Sequence, residues 1–180
     1  MSNHIDFYFD IISPYAYIAH KKILKYKNII FNYKPIYLGG LHKLAGIDSP
    51  AFNKYKLKNN IKDCNLVSEK NNIEFKWNSN FPINSLNIMR GYISVGKDKQ
   101  NDYLNCFFDA YWKDNYDLSN IDSEEFFQSI KKQSVKDKLI KLTTDAFQKE
   151  VFGAPTFIVN NKIFWGQDRL EYALDEFRVN

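Results

Sequence analysis

Ser13-Pro14-Tyr15-Ala16 stands where an apolar strand gives way to an amphipathic helix, and it puts a hydroxyl at the helix's free end. Serine is a preferred N-cap, and proline at N1 lacks only an N–H that would be unpaired anyway. The plain reading is therefore a helix start. The same arrangement can also do chemistry, because unpaired amides and the helix dipole favour negative charge there. A hydroxyl beside them can donate to a thiolate carried in by a ligand. A free thiol has a pKa of roughly 8.5, leaving a few per cent ionised at neutral pH. One such hydrogen bond plus a helix terminus lowers that by a unit or two, about 1.4 kcal/mol each. A serine cannot form a disulfide, so the chemistry is stabilisation of a thiolate rather than dithiol exchange.

Two later segments could complete such a site. Phe152-Gly153-Ala154-Pro155-Thr156 leads into a strand, and Phe164-Trp165-Gly166-Gln167-Asp168-Arg169 leads into the last helix. Pro155 is either an ordinary trans proline or the centre of a cis-proline loop facing Ser13. Asp168 can cap the last helix, with Glu171 completing a capping box. Asn84 and Ser85 can simply begin a helix, and Lys56 can be a solvated lysine. His4, His20 and His42 show no metal-ligand spacing.

Composition narrows the field. The 180 residues suit one domain, or one domain with a sizeable insertion, and 15 Phe, 12 Tyr and 3 Trp supply apolar area for a core. The net charge of +4 is modest and the lysines are dispersed. That pattern lacks the basic stripe of a nucleic-acid binder, although it helps attract an anionic ligand. Cys64 and Cys106 form no Cys-x-x-Cys pair, and both are expected to be small buried hydrophobes. The polar start Ser2-Asn3-His4 argues against a signal peptide, and no apolar run approaches the ~18 residues of a membrane span. A cytoplasmic location is the expectation.

The elements follow from pattern. Ile5-Asp6-Phe7-Tyr8-Phe9-Asp10 alternates as a strand. Tyr15, Ile18, Ala19, Ile23 and Tyr26 share one helical face, and a second strand runs from about 29 to 37. Residues 39–82 read as loop with one short helix near 51–65. Helical stripes follow at Leu86, Met89 and Ile93, then at Leu104, Phe107, Phe108, Tyr111 and Trp112. A capping-box pattern at Asp122 and Glu125 precedes Phe126, Phe127 and Ile130, and Val135, Leu139, Leu142 and Ala146 mark another helix. Thr156-Phe157-Ile158-Val159 and Lys162-Ile163-Phe164-Trp165 read as strands joined by an Asn160-Asn161 turn. Leu170, Ala173, Leu174 and Phe177 define a closing helix.

The order βαβ, helices, then ββα predicts an α/β, thioredoxin-like fold with an inserted all-helical domain. The expected division is 1–38 and 151–180 for the thioredoxin-like domain, with 39–150 as connecting segment and helical insertion.

These residues together resemble a known family, the 2-hydroxychromene-2-carboxylate isomerases, which are DsbA-like thioredoxin-fold proteins related to kappa-class glutathione transferases. The markers are Phe7-Tyr8-Phe9-Asp10 with Ser13-Pro14-Tyr15, Leu38-Gly39-Gly40, and Phe81-Pro82-Ile83-Asn84-Ser85-Leu86. Val151-Phe152-Gly153-Ala154-Pro155-Thr156 and Phe164-Trp165-Gly166-Gln167-Asp168-Arg169-Leu170 complete the series. The resemblance spans nearly the whole chain, and the Phe-Trp-Gly-Gln-Asp-Arg stretch is closer to the isomerase branch than to the transferases.

The resemblance implies glutathione as cofactor. It implies Ser13 as the catalytic residue and as part of the glutathione site, together with Pro14, Tyr15, Lys56, Ala154, Pro155, Asp168 and Arg169. Lys56 would lie near the glycyl carboxylate, the Ala154 backbone would pair with the cysteinyl part, and Asp168 and Arg169 would hold the γ-glutamyl end. Asn84 would lie on the second-substrate side. The implied reaction is reversible addition of glutathione thiolate to a small aromatic, unsaturated 2-oxo acid. Rotation and release then return the isomer with no net consumption of glutathione. A homodimer is implied as well. A kappa-like transferase or peroxidase, or a non-catalytic binding protein, are the alternatives; a disulfide oxidoreductase is excluded by the missing Cys-x-x-Cys. Three departures stand out: Ile47 replaces the family's glutathione-contacting Asn, the helical block is short after Leu118, and Ala16 replaces a second serine.

Overall fold

The computed structural model describes residues 3–119 and 124–179. Strands β1 (Ile5–Phe9), β2 (Phe31–Pro35), β3 (Thr156–Val159) and β4 (Lys162–Trp165) form one sheet in the order β2-β1-β3-β4. β1 and β2 run parallel with Phe9 opposite Pro35, whereas β3 is antiparallel to both β1 and β4. Asn160 and Asn161 both adopt positive φ, 50° and 60°, the left-handed pair that a two-residue hairpin needs. Helix α1 (Pro14–Ile23) connects β1 to β2, and α8 (Leu170–Arg178) closes the chain. The fold is α/β and thioredoxin-like, as the element order predicts.

Between β2 and β3 lie α2 (Leu38–Ala45), α3 (Lys54–Lys70), α4 (Leu86–Ser94), α5 (Gln100–Trp112), α6 (Glu124–Lys131) and α7 (Gln133–Gln148). The expectation of loop with one short helix for 39–82 is corrected here. Gly39-Gly40 falls in that expected loop, yet both glycines lie inside α2. The reason is the Tyr37 side chain packed across them: a Cβ at either position would sit 2.9 Å from its atoms. Gly46, at φ 64°, ends the helix in the left-handed conformation. Asn53 starts α3 by accepting from the Tyr55 and Lys56 amides at 3.1 and 3.0 Å, and the helix runs to Lys70, beyond the expected end near 65. Asp122, on which the expected capping pattern depends, lies outside the described residues.

The core is continuous across sheet and helices. Phe7 and Phe9 of β1, Tyr17 and Ile18 of α1, Met89 and Tyr92 of α4, Phe108 and Trp112 of α5, and Leu139 of α7 are buried in one cluster. Phe9 meets Tyr92 edge-on with centroids 5.2 Å apart, and Tyr17 meets Phe108 at 5.8 Å, favourable geometries for aromatic pairs. The helices are thus keyed directly onto the strand that leads to Ser13. His20 is buried between Tyr33 and Asn105. Burial, only partly offset by the Asn105 bond, lowers its pKa to about 4, so it is a neutral spacer at pH 7.

Cys64 is buried, and burial pushes its thiol up to about 12. Cys106 is exposed, contrary to expectation. It falls two residues from both Leu104 and Phe108, which turn inward, and a helix places such a position on the opposite side. Among the described residues no helix is long and apolar enough to cross a membrane.

Candidate functional site

Ser13 sits at the junction that the sheet and helices jointly fix. Its Oγ accepts from the Ala16 amide at 3.2 Å, capping α1, and its hydroxyl donates to the Ala154 carbonyl at 2.8 Å. The Ala154–Pro155 peptide is cis. Residues 13 and 154, which are 141 apart in sequence, therefore meet in one hydrogen bond. Pro14 is buried at N1 and has no N–H, and the Ala16 and Tyr17 amides both bond to Ser13. Among the described residues the Tyr15 amide finds no acceptor, as expected of a donor in the first turn of a helix.

Two further bonds brace the proline loop. The Gly166 amide donates to the Pro155 carbonyl at 2.9 Å, and the buried Thr156 hydroxyl donates to the Gly153 carbonyl at 2.8 Å.

The residue that assembles this corner is Asp10, which in the sequence is only the last member of an apolar strand motif. Its carboxylate is fully buried. Oδ1 accepts from the Ile12 amide at 3.1 Å, while Oδ2 accepts from the Leu38 amide at 2.7 Å and the Ser85 hydroxyl at 2.9 Å. Its backbone carbonyl accepts from the Ser13 amide at 3.1 Å. One side chain thus ties the Ser13 loop to the starts of α2 and α4. Burial pushes the carboxyl up from its ordinary 3.8 to about 6, against the hydrogen bonds that favour the ionised form. Trp112 adds a second brace, its indole N–H donating to the Ile11 carbonyl at 2.8 Å. In sequence Asp10 shows only as the acid that closes the Phe7-Tyr8-Phe9-Asp10 marker, three residues before an N-cap.

The other expected residues fall in different relations to Ser13. The Tyr15 phenol donates to Asp63 at 2.8 Å, and burial, with Cys64 and Asp63 beside it, pushes its pKa well above the usual range. That hydroxyl is therefore committed to α3. Asp168 and Arg169 follow Gly166 in a short 3₁₀ turn (Gln167–Arg169) anchored to α1 by Lys22 Nζ donating to Gln167 at 2.5 Å. Asp168 does not cap the last helix, and no capping box forms. The 3₁₀ turn delays α8 to Leu170, and Glu171 instead accepts from the Tyr26 hydroxyl. The Asp168 carboxylate folds back over Gly166, which has φ 114°: a Cβ there would lie 2.5 Å from Oδ1. Arg169 is half-exposed, 3.6 Å from Asp168 and over the Tyr172 ring.

Asn84 is exposed and accepts from the Leu86 amide at 3.0 Å and the Tyr37 hydroxyl at 3.3 Å. A second cis peptide, Phe81–Pro82, which sequence did not signal, precedes it. Lys56 is exposed in the first turn of α3, and among the described residues no hydrogen bond or ion pair joins it to Ser13. The Ile47 side chain is 39% exposed just past α2 and offers no hydrogen bond.

Comparison with known proteins agrees with this fold. Residues 4–178 match the DSBA-like thioredoxin domain. The 2-hydroxychromene-2-carboxylate isomerase of Sphingobium xenophagum is 26% identical over 189 residues, covering 96% of each chain. A shorter match, 45% identical over 51 residues, covers 26% of this chain and 23% of glutathione S-transferase kappa 1 from Caenorhabditis elegans. A solved structure of 2-hydroxychromene-2-carboxylate isomerase superposes with a TM-score of 0.87 at 23% identity, covering 97% of this chain and 94% of that one. A match over almost the entire length makes this chain a member of the DSBA-like thioredoxin domain family.

Proposed function

We propose that this protein is a glutathione-dependent isomerase of the 2-hydroxychromene-2-carboxylate type, acting on a small aromatic, unsaturated 2-oxo acid. The observation that carries the reading is the Ser13 hydroxyl, capping α1 and 2.8 Å from the carbonyl of the cis-proline loop. Full-length similarity to proteins of that name supports it. Both the helix-end hydroxyl and the free Tyr15 amide suit an anionic sulfur. Glutathione, when bound, supplies a thiolate nucleophile that is regenerated.

The chain's own part is to orient and tune. The Ser13 hydroxyl donates its proton to the Ala154 carbonyl. An incoming backbone N–H that donates to Ala154 would free that proton for the sulfur, so docking and activation would be one exchange of hydrogen bonds. Asp168 would face the γ-glutamyl ammonium, with Arg169 beside its carboxylate. Asp10 holds the backbone of the Ser13 loop in place through Ile12, Leu38 and Ser85. The same reading takes the protein to be cytoplasmic and to work as a homodimer.

Calorimetric titration with glutathione, followed by an isomerisation assay in its presence and absence, tests the proposal. Heat on titration, turnover only with glutathione, and unchanged total glutathione are expected. Absence of heat and turnover would refute it. A kappa-like transferase, favoured by the short match to that class, would instead consume glutathione in step with product.

A further inference from the structure

Residues 76–85 belong to no helix or strand, yet hydrogen bonds fasten both ends of the segment beside Ser13. At one end the Lys76 amide donates to the Trp112 carbonyl at 2.7 Å, and the Trp112 indole N–H donates to the Ile11 carbonyl at 2.8 Å. At the other end the Ser85 hydroxyl donates to Asp10 Oδ2 at 2.9 Å. Asp10 and Ile11 are adjacent in the chain, so both ends close on one place, two to three residues before Ser13. Buried Asn78 stiffens the middle. Its NH₂ group donates to the Tyr111 and Tyr116 carbonyls, both at 2.9 Å, and its own carbonyl accepts from the Phe81 amide at 3.2 Å.

This fastened segment carries two aromatic rings that stay partly exposed, Trp77 and Phe81. Their centroids are 4.9 Å apart at 70°, and each rests on Trp112, at 5.5 and 5.6 Å. Trp112 is fully buried and stacks with Phe75 at 5.8 Å. Rings already fixed in such a stack lose little freedom when another ring joins them, and covering their remaining surface is favourable. The ligand that fits is therefore flat and apolar. A second exposed aromatic pair, Phe152 and Trp165 at 4.8 Å, borders Gly153 and Gly166, on the side that the proposed function gives to glutathione.

We propose that Trp77 and Phe81 form the wall on which the ring of the small aromatic acid stacks, and so determine specificity for a planar ring. This inference rests on the proposed function for the identity of the acid, but not on glutathione for its test.

The probe is cinnamate, with 3-cyclohexylpropanoate as its saturated counterpart of the same charge and carbon number. Both are titrated without glutathione and followed by calorimetry and tryptophan fluorescence. Wild type should bind cinnamate about two- to tenfold more tightly, the range that ring–ring contact adds beyond buried area. Phe81→Leu keeps an apolar side chain without the ring, so it should lose that preference while binding 3-cyclohexylpropanoate unchanged. Cinnamate should quench wild-type fluorescence, and Trp77→Phe should remove most of that quenching while Trp165→Phe leaves it. If Phe81→Leu does not fold, Trp77→Leu carries the affinity test. Equal binding of the two acids by wild type, no binding of either, or an intact preference in the leucine variant would each overturn the inference. Quenching lost in Trp165→Phe instead of Trp77→Phe would overturn it too. A failed glutathione titration with a ring preference that depends on Phe81 would refute the proposed function and leave this site standing.

Discussion

Replacing Asp10 with asparagine should change stability in a way that depends on pH, and the sign follows from burial. The carboxyl titrates near 3.8 in an ordinary environment and near 6 in the fold. A folded-state pKa above the unfolded one means that its contribution is fully present below about pH 4 and is lost as pH rises through 6. The difference between those two values is worth about 3 kcal/mol. Urea unfolding of wild type and Asp10→Asn from pH 4 to 7.5 isolates this contribution, because the other carboxylates cancel in the difference. The advantage of wild type over the variant should be largest at pH 4 and shrink by about 2.4 kcal/mol by pH 7. With a urea slope of roughly 2 kcal/mol/M, that shifts the difference in midpoints by about 1.2 M. The competing effect is hydrogen bonding, since a carboxylate fed by several donors can have its pKa lowered instead. An advantage that is flat with pH, or that grows toward pH 7, would show that the Ile12, Leu38 and Ser85 donors outweigh burial, and would refute the reasoning.

Other expectations are more local. Ser13→Ala should cost about 1 kcal/mol in chemical denaturation through the lost cap and lower isomerase turnover by about 10²-fold; unchanged turnover would remove Ser13 from the chemistry. Gly166→Ala must adopt φ 114° and displace the Asp168 carboxylate, so unfolding experiments should show a loss of about 1–3 kcal/mol. Asp168→Ala should abolish most glutathione binding in a calorimetric titration, by leaving the γ-glutamyl ammonium unpaired. Ile47→Asn should tighten glutathione binding, by restoring a hydrogen-bonding side chain at an exposed position; affinity no better than the parent's would show that residue 47 does not reach the ligand.

What was legible in the sequence is what depends on near neighbours. The alternation of Ile5 to Phe9, the Ser13-Pro14 helix start and the Asn160-Asn161 turn are local conformational preferences, and each appears in the structure. Their order was enough to specify the α/β fold. Where tertiary packing opposes local propensity, sequence misled. Gly39-Gly40 is a poor helix former, but the Tyr37 side chain needs the space a Cβ would fill, and α2 forms around it. Asp168 has the right spacing from Glu171 for a cap, but the turn at Gly166 and the Tyr26 hydroxyl draw the two acids apart.

The site itself divides along the same line. Ser13 and Pro155 were identifiable as residues, whereas their meeting through Ala154 required the β1–β3 pairing that brings positions 141 apart within hydrogen-bond reach. Asp10 closes a strand motif in the sequence, where its role does not show. It gains that role because three chain segments converge on a fully buried carboxylate. Burial is a property of the folded chain, and only the tertiary structure could supply it.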